Sequence, residues 1–192
     1  QNILLNILDL HVSTKERKNE VIEFYEVINE YTEQITSILD IGCGFNPFSI
    51  SFMNFNDLRT YYAYDVDCRT CQLLERYFQT LSISAKASTI DIISELPKVN
   101  CDLVFLFKII PVLEAQDKDI LTKLLEGINA KYMVITYPIK AISGKFKGME
   151  TYYRSRFEKV NLKEYVLLHE TVVGQELIYI LKRVCSPANK CQ

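Results

Sequence analysis

Two glycines and two acids carry the most chemistry in this sequence. Ser37-Ile-Leu-Asp-Ile-Gly-Cys-Gly-Phe-Asn-Pro-Phe48 reads as an apolar strand entering a glycine turn that opens a helix, and Tyr62-Ala-Tyr-Asp-Val-Asp67 as a second strand ending on an acid about twenty positions later. That spacing suits an adenosine-containing ligand held across two βα units. Gly42 and Gly44 can take dihedrals closed to other residues and leave no Cβ between backbone and ligand. Asp65, at a strand's carboxyl end, is placed to accept both ribose hydroxyls. After a third strand, Asp91 could accept from an adenine amino group while Ile92 covers the ring. The same aspartate suits a helix cap equally well.

The dinucleotide fingerprint G-x-G-x-x-G is broken, because Pro47 stands where the third glycine belongs. Proline fits the first turn of a helix but not the close packing that a pyrophosphate demands. S-adenosylmethionine carries adenosine without phosphate and needs only the two glycines and the acid, so it is favoured over NAD. Lys108, following a fourth strand, either lines the same pocket or lays its stem along the sheet edge.

The chain has 192 residues, 48% of them hydrophobic, and a net charge of −2, which suits one domain with a substantial core and excludes a uniformly basic nucleic-acid binder. It contains no apolar run long enough to span a bilayer and no signal-peptide pattern at its start, so a cytoplasmic protein without membrane attachment is expected. Six cysteines are too few for a disulfide scaffold. Cys68 and Cys71 have metal spacing, but two histidines in the whole chain and no second cysteine pair argue for no metal. Cys71 and Cys101 read as core residues, Cys185 and Cys191 as part of a tail.

Periodicity predicts helices over 2–10 and 14–31, then a strand at 37–42, a helix from Pro47, a strand at 60–65, a helix at 68–80 and strands at 83–89 and 102–107. A helix at 114–128, a strand at 132–137 and a helix at 149–158 follow, and β-rich runs at 164–173 and 175–182 meet at Gly174 as an antiparallel hairpin. The fold class expected is therefore α/β: a Rossmann-like, seven-stranded, mostly parallel sheet with a C-terminal antiparallel hairpin, the class I S-adenosylmethionine-dependent methyltransferase architecture. Two N-terminal helices in 1–32 would pack on and close the cofactor site, 33–184 would form the methyltransferase domain, and 185–192 a flexible tail.

Five segments resemble one family. His11-Val-Ser-Thr-Lys-Glu-Arg17, Leu39-Asp-Ile-Gly-Cys-Gly-Phe-Asn-Pro47, Phe105-Leu-Phe-Lys-Ile-Ile-Pro-Val-Leu113, the run from Tyr137 to Glu150 and Gly174-Gln-Glu-Leu-Ile-Tyr179 occur in the order seen in the aminoglycoside-resistance 16S ribosomal RNA guanine-N7 methyltransferases, the Arm/Rmt group. The resemblance implies methyl transfer from S-adenosylmethionine to a guanine N7 in the decoding site of the 30S subunit, giving aminoglycoside resistance. It places Thr14 and Arg17 near the methionine carboxylate, where a guanidinium fork is the best partner; the competing reading of Arg17 is a solvated helix charge paired with Glu16 or Glu20. The cofactor set expected is Thr14, Arg17, Gly42, Cys43, Gly44, Asp65, Val66, Asp91, Ile92, Phe107, Lys108 and Gln116. Family members carry a further helical domain ahead of the Ser-Thr-x-Glu-Arg segment that docks on the subunit. With ten residues before His11, a chain lacking most of that domain is expected.

Guanine N7 is unprotonated at neutral pH and has an in-plane lone pair, so its methylation needs alignment but no general base. This suits a sequence with only His11 and His169 as histidines. The target base would have to leave its stack. Tyr137 is expected to stack on it, with Lys140, Lys145, Lys147, Glu150 and Arg154 forming the RNA contact and Arg156 beyond them; the alternative is an ordinary solvated loop. Rival functions are a cofactor-binding domain without ribosomal activity and a methyltransferase for another substrate. A monomer is expected.

Overall fold

A computed structural model describes residues 12–139 and 148–184 of the chain. The expected helix at 2–10, His11, Lys140, Lys145, Lys147 and the expected tail at 185–192 lie outside the described residues. Seven strands form one sheet: β1 (Ser37–Ile41), β2 (Thr60–Asp65), β3 (Ser84–Thr89), β4 (Cys101–Phe107), β5 (Ala130–Pro138), β6 (Tyr165–Val173) and β7 (Glu176–Arg183). Their spatial order is β3-β2-β1-β4-β5-β7-β6. The first five are parallel, and β7 runs antiparallel to both β5 and β6. This is the mixed Rossmann-like sheet with a terminal hairpin that the sequence pattern implied, and Gly174 supplies the hairpin's left-handed residue at φ +56°.

Alternation along the strands builds two apolar layers. Ile38, Phe105, Val134 and Ile180 face the side covered by α2 (Val21–Tyr31) and α3 (Cys68–Phe78). Leu39, Val104, Ile135 and Leu181 face the other side, under α4 (Ile110–Glu114), α5 (Ile120–Gly127) and α6 (Met149–Phe157). A strand covered on both faces reads as an unbroken apolar run, as in Leu103–Phe107 of β4. Each fully buried Leu, Ile or Phe in these layers contributes roughly 1.5–3 kcal/mol of transfer free energy.

Three expected helices differ in the structure. The run 14–31 is not continuous: a helical turn α1 (Val12–Lys15) and a 3-10 turn at Lys18–Glu20 precede α2. The break falls at Arg17, which is drawn away to a partner on β7 (below). The segment from Pro47 is a 3-10 helix, Asn46–Phe52. The helix expected at 114–128 starts later, as α5 at Ile120; α4 precedes it as a separate short helix with Pro111 in its first turn, and in the turn between them Asp117 accepts from the Asp119 amide at 3.1 Å.

The carboxyl ends of β1 and β2 define the site. Gly42 and Cys43 both donate their amides to the Tyr64 carbonyl, at 2.8 and 3.1 Å, which bends the chain sharply after β1. Gly42 stands at φ +65°, and a Cβ there would lie 2.7 Å from Ile109 Cγ1. Gly42→Ala therefore combines left-handed strain with a displaced Ile109 and should cost about 1–3 kcal/mol. The corresponding drop in thermal midpoint, roughly 2–4 °C per kcal/mol for a chain of this size, is read by calorimetry; an unchanged midpoint would refute the steric argument.

Candidate functional site

A cleft of about 380 Å³ opens where β1, β2 and β3 end and α4 begins. Seven residues of the expected cofactor set line it together: Gly42, Gly44, Asp65, Val66, Asp91, Ile92 and Gln116. The sequence reading missed Tyr64, Ile90, Ile109, Val112 and Leu113, which form much of its apolar wall. Of these, Ile109, Val112 and Leu113 lie within Phe105–Leu113, and their i, i+3, i+4 spacing from the cap residue of α4 was the available signal.

Asp65 sits at the cleft's polar end. One oxygen accepts from the Gly44 amide at 2.8 Å and the other from the Asp67 amide at 2.9 Å. The carboxylate thus fastens the glycine turn to β2, and a carboxylate with two oxygens still has lone pairs for hydroxyl donors. Asp91 lines the cleft but also closes its own turn, accepting from the Ile93 amide at 3.0 Å and the Ser94 hydroxyl at 2.6 Å. The Ser94 hydroxyl, with the Ile93 and Ser94 amides, holds the exposed carboxyl below its usual range. Asp91 thus closes a turn rather than a helix while its side chain borders the cleft. Cys43 is a correction: its side chain is 4% exposed and packs in the core behind the loop, not among the cleft lining, and burial raises its thiol well above the ordinary value.

Behind the glycine turn lies a buried polar cluster. Arg17 donates through Nε to Glu176 Oε1 at 2.9 Å, through Nη2 to Glu176 Oε2 at 2.7 Å and through Nη1 to Asn46 Oδ1 at 2.9 Å. Its guanidinium also lies 4.0 Å from the Phe24 ring centroid and 4.5 Å from that of Phe107. The reading of Arg17 as a solvated helix charge is thereby excluded. Burial pushes the Glu176 carboxyl up, but the charges of Arg17 and Lys108 outweigh it and hold the group below its ordinary value. Lys108 stands at φ +55°, a strained position for a side-chain-bearing residue. Its Nζ reaches Glu16 at 2.8 Å and Glu176 at 3.3 Å. Thr14 is buried in the same N-terminal segment.

Asp40 was also missed. It is 1% exposed and accepts at Oδ2 from the Tyr61 hydroxyl at 2.6 Å and from Asn46 Nδ2 at 2.9 Å. Burial pushes its carboxyl up to about 6 against these bonds, and Oδ1 has no hydrogen-bond partner. A charged residue inside an otherwise apolar strand was the signal for it.

Of the expected RNA residues, Tyr137, Glu150, Arg154 and Arg156 are described, and each is engaged within the fold. Tyr137 is a correction: its ring is 4% exposed, stacked on Tyr153 at 4.6 Å and met edge-on by Tyr179 and Phe157, so it offers no open face to a base. Arg154 is paired with Glu150 at 2.9 Å and also with Glu170. Arg156 is paired with Glu114 at 2.9 Å. Among the described residues no group of three His, Cys, Asp or Glu side chains could hold a metal ion, and no helix is long and apolar enough to cross a membrane.

The ribosomal RNA methyltransferase family (FmrO) matches residues 3–180 of this chain. A 16S rRNA (guanine(1405)-N(7))-methyltransferase of Proteus mirabilis is 35% identical over 190 residues, covering 96% of this chain and 66% of its own length. The crystal structure of 16S rRNA methyltransferase RmtF in complex with S-adenosyl-L-homocysteine aligns with a TM-score of 0.84 at 27% identity, covering 94% of this chain and 68% of that one. The structure of the 16S rRNA methylase ArmA aligns at 0.78 and 35% identity, covering 94% and 91%. The chain spans 66% of the length of the curated relatives from Micromonospora echinospora and Proteus mirabilis.

Two predictions concern the buried cluster. Glu176→Ala would strand Arg17 and Lys108, and breaking a buried pair from one side costs about 3–5 kcal/mol; urea unfolding should show that loss, whereas Glu126→Ala on the exposed pair with Lys163 should stay within about 0.5 kcal/mol. Equal effects would refute the structural weight given to Glu176. The second concerns pH. With an unfolded value near 3.9 and a folded value of about 6, Asp40 holds its proton more tightly in the folded state. Its contribution is fully present below about pH 4 and is lost as pH rises through about 6, on the order of 3 kcal/mol. Glu176 has the opposite sign, its contribution being lost as pH falls through its depressed value. Asp40→Asn keeps an acceptor for Tyr61 and Asn46 and removes only the first slope. The variant's stability relative to the parent should therefore grow from pH 4 to 7, and a pH-independent difference would count against the buried carboxyl.

Proposed function

The chain belongs to the FmrO family of ribosomal RNA methyltransferases, and from that membership and the cleft we propose that it binds S-adenosylmethionine and methylates a guanine N7 of 16S rRNA in the 30S subunit. The observation that carries the reading is the bare backbone bend at Gly42, where a Cβ would fill the space beside Ile109, set against Asp65 at the neighbouring strand end. The cleft fits the cofactor by shape and chemistry. Its volume lies within the small-ligand range of about 300–1,000 Å³, its wall is largely apolar, and its polar groups include the carboxylates of Asp65 and Asp91 and the amide of Gln116.

In this reading Asp65 grips the ribose, while Ile92, Val112 and Leu113 enclose the adenine. Thr14 and Arg17 stand at the methionine end, with three of the guanidinium's donors already committed to Glu176 and Asn46. When bound, the cofactor supplies an electrophilic methyl on a sulfonium. Guanine N7 brings a lone pair and no proton, so the chain need not move one. Among the described residues, the cleft lining contains no histidine, lysine or cysteine. What the protein contributes is alignment, and holding reactants in attack geometry is worth several kcal/mol. The rigid supports of that alignment are the Gly44–Asp65 bond and the Lys108 crest of β4, whose amide donates to both the carbonyl and the hydroxyl of Thr136.

Calorimetry should show uptake of S-adenosylmethionine or S-adenosylhomocysteine, and Asp65→Asn should weaken it roughly 10–100-fold through lost charge-assisted bonds. Incubation with labelled S-adenosylmethionine and 30S subunits should then leave an N7 adduct that directs strand scission at one guanine. Absence of cofactor uptake would end the proposal. Uptake without an adduct would end its ribosomal part.

A further inference from the structure

We propose that the cationic cleft between α4, α5 and α6 is a second RNA contact, holding the strand that flanks the methylated nucleotide. The proposal rests on the reading of the chain as an RNA methyltransferase. Lys118, Arg156 and Lys159 surround a hollow of about 370 Å³ floored by Leu121, Tyr137 and Phe157. A smaller hollow of about 290 Å³ adjoins it across Arg156 and Glu114, with Tyr152 in its wall. On a chain of net charge −2, three cations converge against one carboxylate, Glu114, which is already paired with Arg156. Asp117, next to Lys118, is engaged by Lys123 at 2.5 Å. Asp119 and Glu158 temper the field from outside the lining.

The partner's chemistry follows from what accompanies the charge. Tyr152 is 53% exposed, its hydroxyl accepts from Arg156 Nη1 at 2.8 Å, and the guanidinium carbon lies 5.6 Å from its ring centroid. An open aromatic face beside cations is what an unpaired base and its phosphates require. An acidic protein surface would use the cations but leave the ring idle. Position supports the same partner. Helix α4 presents Val112 and Leu113 to the cofactor cleft and Pro111 and Glu114 to these hollows, so one short helix separates the two sites. Arg154 cannot take this role, being held between Glu150 and Glu170.

The test uses the full chain and intact 30S subunits. Lys118 and Lys159 are exposed, so Lys118→Ala with Lys159→Ala should leave folding and S-adenosylhomocysteine affinity unchanged. Affinity for 30S subunits should fall about 5–10-fold near 0.1 M salt, and the slope of log affinity against log salt should flatten by about one to two. Acetylation of the unaltered chain, read by mass spectrometry, should show Lys118 and Lys159 protected by 30S subunits. Lys98, on the connection between β3 and β4 and with an 89% exposed side chain, should stay reactive. An unchanged slope or unprotected lysines, with 30S binding intact, overturns the cleft alone. No binding of 30S subunits by the unaltered chain overturns the ribosomal reading and this surface with it.

Discussion

A single buried pair, Arg17 with Glu176, joins the two ends of the fold. The bonded residues are 159 positions apart, one in the N-terminal segment and one at the first residue of the last strand. Two charges with so little exposure are expensive unless their hydrogen bonds are completed. Here partners surround both: Glu176 also accepts from the Thr136 hydroxyl at 2.8 Å and meets Lys108, while Arg17 reaches Asn46 and lies over two aromatic rings. The network therefore ties the N-terminal segment, the glycine turn, the β4 crest and the terminal hairpin to one point. A shift of Arg17 would be felt by Asn46, and through Asn46 by the turn that shapes the cleft.

That arrangement explains which parts of the site were legible in the sequence. Gly42, Gly44 and Asp65 announce themselves because their roles are local: a left-handed bend and an acid at a strand end need only near neighbours. The hairpin was legible for the same reason, with Gly174 between two β-rich runs. Glu176 was hidden inside the second run, since nothing near it in sequence reveals a partner in the N-terminal segment. Tyr137 misled for a related reason. A tyrosine at the end of a strand beside a lysine-rich loop looks available, and only the packing of α6 against β5 and β7 encloses it between Tyr153, Tyr179 and Phe157. The helix expected at 114–128 failed at its start, where the Asp117 side chain bonds the Asp119 amide and offers the backbone a turn instead of a helix.

The distribution of perturbed groups bears on what kind of chemistry this site can do. In acid–base enzymes, shifted carboxyls and bases face the reacting atoms. Here Asp91, in the cleft lining, is lowered by hydrogen bonds within its own turn, while Asp40, raised by burial, and Glu176, depressed by the charges of Arg17 and Lys108, both lie behind the glycine turn and outside the lining. Structural ion networks shift pKa values as surely as catalytic ones do, and these two groups hold side chains in place. A reaction whose nucleophile arrives as a free lone pair gains nothing from a tuned base, but it depends steeply on the placement of two atoms. For the proposed transfer, a stiff charged frame behind the cleft meets such a requirement, and geometry rather than proton transfer is then the quantity on which substitutions should act.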